Sequence, residues 1–314
     1  DASASAYQLM AYFLLDNTFA KLTNLFDTGS EIFDIYSHIR IELIDFLTNN
    51  LREEKPHLCA ILDRVLTRSI VKQIYMPIIY GKTVSSTTKD LKESLSQDIL
   101  KKECPKLADL CYKFWKQNYS YMDAFIQLIS LVGRVCSSLE RPVLYCAEYF
   151  STSQDYHKME KHSVRVFDSI SKKSHNVTLS YPSNVRDKRK SRTSTFVNFI
   201  HQKDAQIAMS MAYNASSYGI PLYTMHDNFI TNTYNCDNMV TLYLSVIRNM
   251  DPPLKIINRF LYINLIEPAI ENGYYNNVRG LNLEYFDDKI IPDYIPDEFL
   301  KIGGIPPSVV RNVA

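Results

Sequence analysis

An α+β fold, mostly helical and carrying small antiparallel β elements, is what this sequence predicts, and three observations carry the reading. Apolar residues recur at helical spacing over long stretches, as at Ile32, Tyr36, Ile39, Leu43 and Phe46. β-rich runs are confined to two places, 163–181 and 221–231. The composition is ordinary for a soluble chain: 314 residues, 46% hydrophobic and 22% charged, enough to bury a real core as one large or two modest domains.

Charge and cysteine usage narrow the function classes. The formal charge is only +1, so a nucleic-acid surface has to come from local clustering. The six cysteines lack any C-x-x-C pair, which argues against a zinc site or a disulfide framework and fits a reducing compartment. No apolar run approaches membrane-spanning length and no signal peptide is visible, so no membrane is expected as a partner. The first residue is Asp1, which sets the expectation of a piece of a longer chain.

Taken in order, Leu9, Met10, Phe13 and Leu14 predict a helix packing one face inward behind a compact acidic turn at Asp1. A long helix is expected from Ile32 to Leu51 and another over 62–81, where Arg68, Lys72, Met76 and Tyr80 share one face. Pro77 should kink that second helix one turn before Tyr80. Residues 83–103 read as a polar loop leading into a solvated helix, and Leu128 to Leu139 as a core helix with Arg134 outward. Ser163–Ile170 and Val177–Tyr181 read as a hairpin with Lys172 and Lys173 in its turn, and five cations follow at Arg186, Lys188, Arg189, Lys190 and Arg192. Ala208, Met211, Ala212 and Ala215 give a helix with Gly219 as C-cap. Asp237 is expected to cap a last helix with Val240, Tyr243, Leu244 and Ile247 on one face.

Between those two helices lies the stretch that carries chemistry. Leu222–Met225 and Phe229–Thr231 flank His226-Asp227-Asn228, a hairpin with a carboxylate at its turn. Such an acid alone is usually turn chemistry. On a rigid support it can also hold Mg²⁺ by one or two oxygens while water and phosphate complete the shell. Arg68 and Lys72, stacked on one helix face, have the makings of a triphosphate clamp, and Tyr80, just before Gly81, can pack against a base or sugar; the alternative is a solvated basic face above a core helix.

Together these residues resemble the single-subunit, phage-type DNA-directed RNA polymerases of phages, mitochondria, plastids and linear mitochondrial plasmids. Arg68-x-x-x-Lys72 with Tyr80-Gly81 resembles the fingers helix of that family. Asp1-Ala-Ser-Ala-Ser-Ala-Tyr-Gln8 resembles its first catalytic-aspartate motif, Asn198-Phe-Ile-His201-Gln-Lys-Asp204 its N-F-V-H-x-x-D segment, and His226-Asp227-Asn228-Phe229 its H-D-S-F motif. Gly280-Leu-Asn-Leu283 is a weaker echo near the C-terminus. Ala2 stands where the family has Gly and Asn228 where it has Ser, Pro77 is unexpected, and the Pro-interrupted tail beyond Leu283 matches nothing. The related family A DNA polymerases resemble D-Y-S-x-I-E and H-D-E at the outer motifs and carry an aromatic four residues after the Lys, where this chain has Met76.

The resemblance implies a partial right hand: a palm segment over 1–20, fingers over 21–195 including the helix 62–81 and hairpin 163–181, and palm plus a C-terminal extension over 196–314. It implies two Mg²⁺ ions on Asp1 and Asp227 as cofactors, with Arg68 and Lys72 on the triphosphate and Lys72 donating a proton to pyrophosphate. Met76, Tyr80 and His201 would line the nucleotide site, and Tyr80 would select ribose. Lys172, Lys173, Arg186, Lys188, Arg189, Lys190 and Arg192 would bind nucleic acid, the hairpin reading promoter DNA in the major groove. DNA template, nascent RNA and ribonucleoside triphosphates are the implied partners of a monomer in the mitochondrion. The 22 Tyr and 15 Phe suit an A+T-rich organellar or plasmid genome. The alternatives are a DNA polymerase and a non-catalytic nucleic-acid-binding remnant, and the chain by itself is expected not to polymerise.

Overall fold

A computed structural model describes residues 4–26, 31–95 and 99–271. Asp1, the Gly280–Leu283 echo and the Pro-rich tail lie outside the described residues.

The elements in order are helices α1 (Ser5–Leu14), α2 (Asn17–Leu22), α3 (Ile35–Leu51), α4 (Pro56–Cys59), α5 (Leu62–Val65), α6 (Arg68–Ile79), α7 (Val84–Ser94), α8 (Cys104–Asn118) and α9 (Ser120–Ser138). Strands β1 (Val143–Cys146), β2 (Ser151–Gln154), β3 (His157–Asp168) and β4 (Lys173–Arg186) follow, then α10 (Lys188–Ser217), β5 (Tyr223–Met225), β6 (Asn228–Ile230), α11 (Cys236–Arg248), α12 (Pro253–Leu261) and α13 (Glu267–Glu271). The fold is therefore mostly helical α+β, and its described strands form three separate antiparallel pairs, β1–β2, β3–β4 and β5–β6.

One apolar core runs from Ala6 in α1 to Leu261 in α12. Its centre is aromatic: Tyr7 lies against Phe19, Tyr36 and Trp115, and Tyr75 against Phe114 and Trp115. The phenols are satisfied, because Tyr7 donates to the Tyr75 carbonyl at 3.0 Å and Tyr75 to the Cys111 carbonyl at 3.1 Å. This cluster locks α1, α3, α6 and α8 together. All six cysteines are free.

Several elements depart from the sequence expectation. The 62–81 stretch is two helices, because Leu66 leaves the helical region and Thr67 starts afresh, its hydroxyl accepting from the Ile70 N–H. Arg68 is thus the first residue of α6. The helix at 32–51 begins only at Ile35, where the Asp34 carboxylate caps it, and Ile32 is exposed. Residues 84–94 are helix rather than loop: Thr83 caps α7, and Thr87 and Leu91, with Leu95 just beyond, bury its inner stripe. α11 starts at Cys236 after a short 3₁₀ turn capped by Asn232, so Asp237 sits in its first turn without being the cap. Val240 is exposed, and Met239, Leu242, Val246 and Ile247 are the buried set.

Other expectations hold. Leu9, Met10, Phe13 and Leu14 are all buried in α1, and Arg134 faces outward on α9. The basic hairpin is longer than its β-rich core, pairing His157–Asp168 with Lys173–Arg186. The two helices that matter most for the site end alike. After Tyr80 and after Tyr218 a glycine at φ +77° (Gly81) or +66° (Gly219) turns the chain. The Gly81 and Lys82 N–H groups then return to Ile78 and Pro77, and those of Gly219 and Ile220 to Ser216 and Ala215. A Cβ on Gly81 would meet nothing closer than 3.8 Å, so its backbone angle, rather than a close approach, calls for glycine.

Candidate active site

Five elements, α1, the end of α6, α10, the β5–β6 hairpin and α11, meet around a cleft of about 350 Å³, lined by Ser5, Tyr80, His201, Asp204, His226, Asp227, Phe229 and Tyr243 among others. Each arrives by a local device. The glycine turn after α6 leaves Tyr80 as the C-cap residue at the helix end. There its ring stacks on His201 of α10, centroids 5.4 Å apart and planes 7° apart.

Asp227 sits in the two-residue turn between β5 and β6, where Met225 pairs with Asn228. His226 takes φ +56° at the first turn position, a left-handed angle that few non-glycine residues adopt. Thr231 ties the base of this hairpin to the Pro221 carbonyl at 2.7 Å, and Phe229 packs on Tyr243 with ring centroids 5.7 Å apart. Tyr243 in turn donates to Gln8 Oε1 at 2.7 Å, and Gln8 donates to the Thr23 carbonyl. The hairpin, α11 and the segment that follows Asp1 are thereby held as one unit.

α10 supplies two residues one turn apart, His201 and Asp204, 3.9 Å between Nδ1 and Oδ2. Burial, and then the Asp227 charge, push the Asp204 carboxyl up to about 7, against a lowering hydrogen bond from Ser5. Burial, followed by Asp204 and Asp227, raises the Tyr80 phenol to about 12. The His201 imidazole is lowered by burial, so it favours its neutral form. Asp204 closes the Asn198–Asp204 motif, and its spacing from His201, i to i+3 on a helix, is the signal that puts it in the cleft, although the resemblance implies no role for it.

Of the other expected site residues that the structure describes, none lines this cleft. Arg68, Lys72 and Met76 follow one exposed face of α6 that leads to Tyr80. Arg68 donates to Asp34 from Nε at 2.6 Å and Nη2 at 2.7 Å, and both Arg68 and Lys72 lie 5.8 Å from the Tyr36 ring centroid. Lys172 and Lys173 are exposed at the tip of the β3–β4 hairpin, where Lys172 has φ +54°. Arg186 is not free at the hairpin base: it pairs with Asp155 and Glu140, and its side chain is 12% exposed. Lys188, Arg189, Lys190 and Arg192 form the exposed start of α10, with Lys190 over the Tyr156 ring and Arg192 bonded to Gln127. Asn198 is structural, donating to Gln154 Oε1 at 2.7 Å.

A larger cleft of about 540 Å³ opens on the opposite face of α10, lined by Phe199, Gln202, Lys203 and Gln206. Phe199, Gln202 and Lys203 of the Asn198–Asp204 motif face this side, whereas His201 and Asp204 of the same motif face the smaller cleft.

The chemistry of the cleft fits a divalent cation. Burial and the Asp227 charge raise the proton affinity of Asp204, and Mg²⁺ is held by one or two carboxylates plus water and phosphate rather than by an all-protein cage. Among the described residues no group of three or more His, Cys, Asp or Glu forms such a cage.

With this geometry in place, comparison with known proteins is decisive. A family model described as DNA-dependent RNA polymerase matches residues 1–249. A protein of Zea mays, "Probable DNA-directed RNA polymerase", is 35% identical over 90% of this chain. The chain belongs to the DNA-dependent RNA polymerase family. Similarity extends at 23% identity over 77% of the chain to "DNA-directed RNA polymerase 1, mitochondrial" of Arabidopsis thaliana, and at 23% over 76% to "DNA-directed RNA polymerase 3A, chloroplastic" of Nicotiana tabacum. The chain spans 28% of the length of the maize polymerase and 25% of each of the other two. The matched region of this polymerase-family chain includes Tyr80, His201, Asp204 and Asp227, the residues that the fold gathers in the cleft.

Proposed function

We propose that this chain contributes the catalytic centre of a DNA-directed RNA polymerase that transfers nucleotides to a growing RNA on a DNA template. The convergence of Tyr80, His201, Asp204 and Asp227 on one cleft, with Ser5 four residues after Asp1, is the observation that carries this reading. In it, residues 1–20 and 196–314 belong to the palm and 21–195 to the fingers.

Asp227, with Asp1, would hold Mg²⁺, and Asp204 stands beside Asp227 as a carboxyl that keeps its proton until near neutral pH. When bound, Mg²⁺ supplies activation of the RNA 3′-hydroxyl and neutralisation of the leaving pyrophosphate. Arg68 and Lys72 meet the triphosphate, and Lys72, exposed on α6, delivers a proton to the departing oxygen. Met76 borders the incoming nucleotide. The Tyr80 hydroxyl, kept protonated by burial, donates to the sugar, and the neutral His201 ring steadies Tyr80 and faces the sugar or minor groove. Neither aspartate acts as the base. Base pairing with the template selects the nucleotide, so the protein reads pair shape.

The β3–β4 hairpin, exposed along nearly its whole length and tipped by Lys172 and Lys173, has the dimensions of a two-stranded ribbon that enters a major groove. Lys188, Arg189, Lys190 and Arg192 add salt-sensitive backbone contacts, and Arg186 holds the hairpin base. No described helix is long and apolar enough to cross a membrane. Mitochondrial relatives support an organellar setting, in which a plasmid or organelle genome is the template.

The test is extension of an RNA primer on a DNA template with Mg²⁺ and ribonucleotides, run on this chain and on a version extended upstream, each with an Asp227→Ala control. Extension that depends on Asp227 supports the proposal. Nucleic-acid binding without extension by either form favours a non-catalytic remnant.

A further inference from the structure

The cationic face of α6 is engaged by an acid and a ring of the chain itself. Asp34 accepts from Arg68 through both carboxylate oxygens, at 2.6 and 2.7 Å, the parallel two-bond geometry by which a guanidinium also takes phosphate. Asp34 is well anchored for this role, because its Oδ2 caps α3 by accepting from the Ser37 N–H at 3.0 Å. The α3 N-terminus favours negative charge there, and Arg68, followed by the Ser37 bonds, holds the carboxyl down at about 2. Two residues on, the buried Tyr36 ring is flanked by Arg68 and Lys72 at 5.8 Å each. The acid and the ring from one helix terminus thus set both cations of the other helix.

We propose that Asp34 is an internal competitor for the substrate triphosphate: it occupies the Nε/Nη2 edge of Arg68 in the nucleotide-free chain and is displaced when phosphate binds. This rests on the reading of Arg68 and Lys72 as the triphosphate-binding face. The pair is exposed enough to exchange, with 55% of the Arg68 side chain and 31% of Asp34 accessible. An ion pair of that kind is weak beside a polyanion carrying several charges. Asp34 is therefore a positioning residue. It keeps Arg68 extended towards the site, sets a threshold that fragments with few phosphates do not pass, and recaptures the guanidinium when pyrophosphate leaves.

The experiment is calorimetric titration of inorganic tripolyphosphate into the 314-residue chain and its variants. Asp34→Asn keeps a good helix cap while removing the charge that competes for Arg68, and Asp34→Ser keeps the cap with a side chain too short to reach; thermal melts verify that each is folded. Either variant should bind tripolyphosphate about three- to tenfold more tightly than wild type. In an Arg68→Ala background the same substitutions should change nothing, a dependence that a merely structural role of Asp34 does not produce. Equal affinity of wild type and both folded variants, with binding weakened but still measurable in Arg68→Ala, would overturn the competitor and leave the triphosphate face standing. Failure of wild type and variants alike to bind would overturn both.

Discussion

Tyr80, the residue that caps the C-terminal end of α6, lies parallel to His201 in the middle of α10, ring centroids 5.4 Å apart with 7° between the planes. The stack joins the end of the helix that carries Arg68 and Lys72 to the helix that carries Asp204. Because the Gly81 turn fixes the backbone at Tyr80, the ring has little freedom except in its hydroxyl.

Sugar selection is expected to depend on that hydroxyl. In a polymerase extended upstream from this chain, Tyr80→Phe keeps the stack and removes one donor, so ribonucleotide extension should persist while the preference for ribose over deoxyribose falls about tenfold or more. Tyr80→Leu loses the stack as well and should lower extension with both sugars. The ratio of kcat/KM for the two substrates is the measurement. An unchanged ratio in Tyr80→Phe would move sugar selection to another residue.

Asp204 makes the metal-free chain pH-sensitive in a definite direction. Its folded-state carboxyl titrates at about 7, raised by burial and then by Asp227, whereas the unfolded one titrates near 4. Below pH 4 both states hold the proton and there is no penalty. As the pH rises towards 7 only the unfolded state releases it, so stability falls, and the loss is complete above about 7. Asp204→Asn should therefore match wild type at pH 4 and exceed it at pH 8 by on the order of 1–3 kcal/mol in chelator. Urea unfolding at the two pH values tests this, and a difference of equal size at both would place the effect outside titration.

How much of this was legible depends on the range over which each residue acts. The hairpin at Asp227, the cap at Gly219 and the helical face from Arg68 to Tyr80 are set by residues close in sequence, and periodicity with turn chemistry finds them. The break at Thr67 and the helix over 84–94 carry local cap signals too, but a Ser/Thr-rich stretch reads equally as loop, and only burial of Thr87, Leu91 and Leu95 against the core decides between them. In α11 the polar stripe of Asp237, Asn238, Thr241, Ser245 and Arg248 does set the phase, and it puts Val240 near the border, where it faces solvent while Met239 faces in. The Asp34 to Arg68 pair and the proximity of Asp204 to Asp227 depend on how helices dock, which no short window encodes. For the same reason Arg186 reads as one more cation in a basic run, although Asp155 and Glu140 consume its charge.

The packing of α10 on α9 depends on Gly133. A Cβ there would stand 1.9 Å from Thr195 Oγ1 and 2.7 Å from the Ser191 carbonyl oxygen. Thr195 cannot swing aside cheaply, because its hydroxyl donates to that same carbonyl at 2.6 Å and accepts from Gln154 Nε2 at 3.1 Å. Gly133→Ala should therefore destabilise by about 2 kcal/mol or more despite its gain in helix propensity. Adding Thr195→Ala should recover only part of the loss, since the Ser191 carbonyl is backbone. A melting temperature unchanged in Gly133→Ala would mean that the two helices can separate without cost.

The last prediction concerns Pro77, whose ring stands inside α6 three residues before Tyr80. Proline has no N–H, so the Gln73 carbonyl one turn earlier loses its helical partner. Lys82 supplies a replacement: its Nζ donates to the Gln73 oxygen at 3.0 Å and pairs with Asp90, with only 10% of the side chain exposed. The Lys82 backbone is fixed as well, its N–H returning to the Pro77 carbonyl and its carbonyl accepting from Tyr112. Lys82→Met preserves most of the packing but leaves Gln73 and Asp90 without this donor, so it should destabilise by about 1–3 kcal/mol. In a Pro77→Ala background the helix can bond Gln73 itself, and the cost of Lys82→Met should shrink to that of losing Asp90. A double-mutant cycle in urea reads the coupling directly; a coupling energy of zero would mean that Lys82 serves Asp90 alone and that the carbonyl freed by Pro77 is satisfied by water.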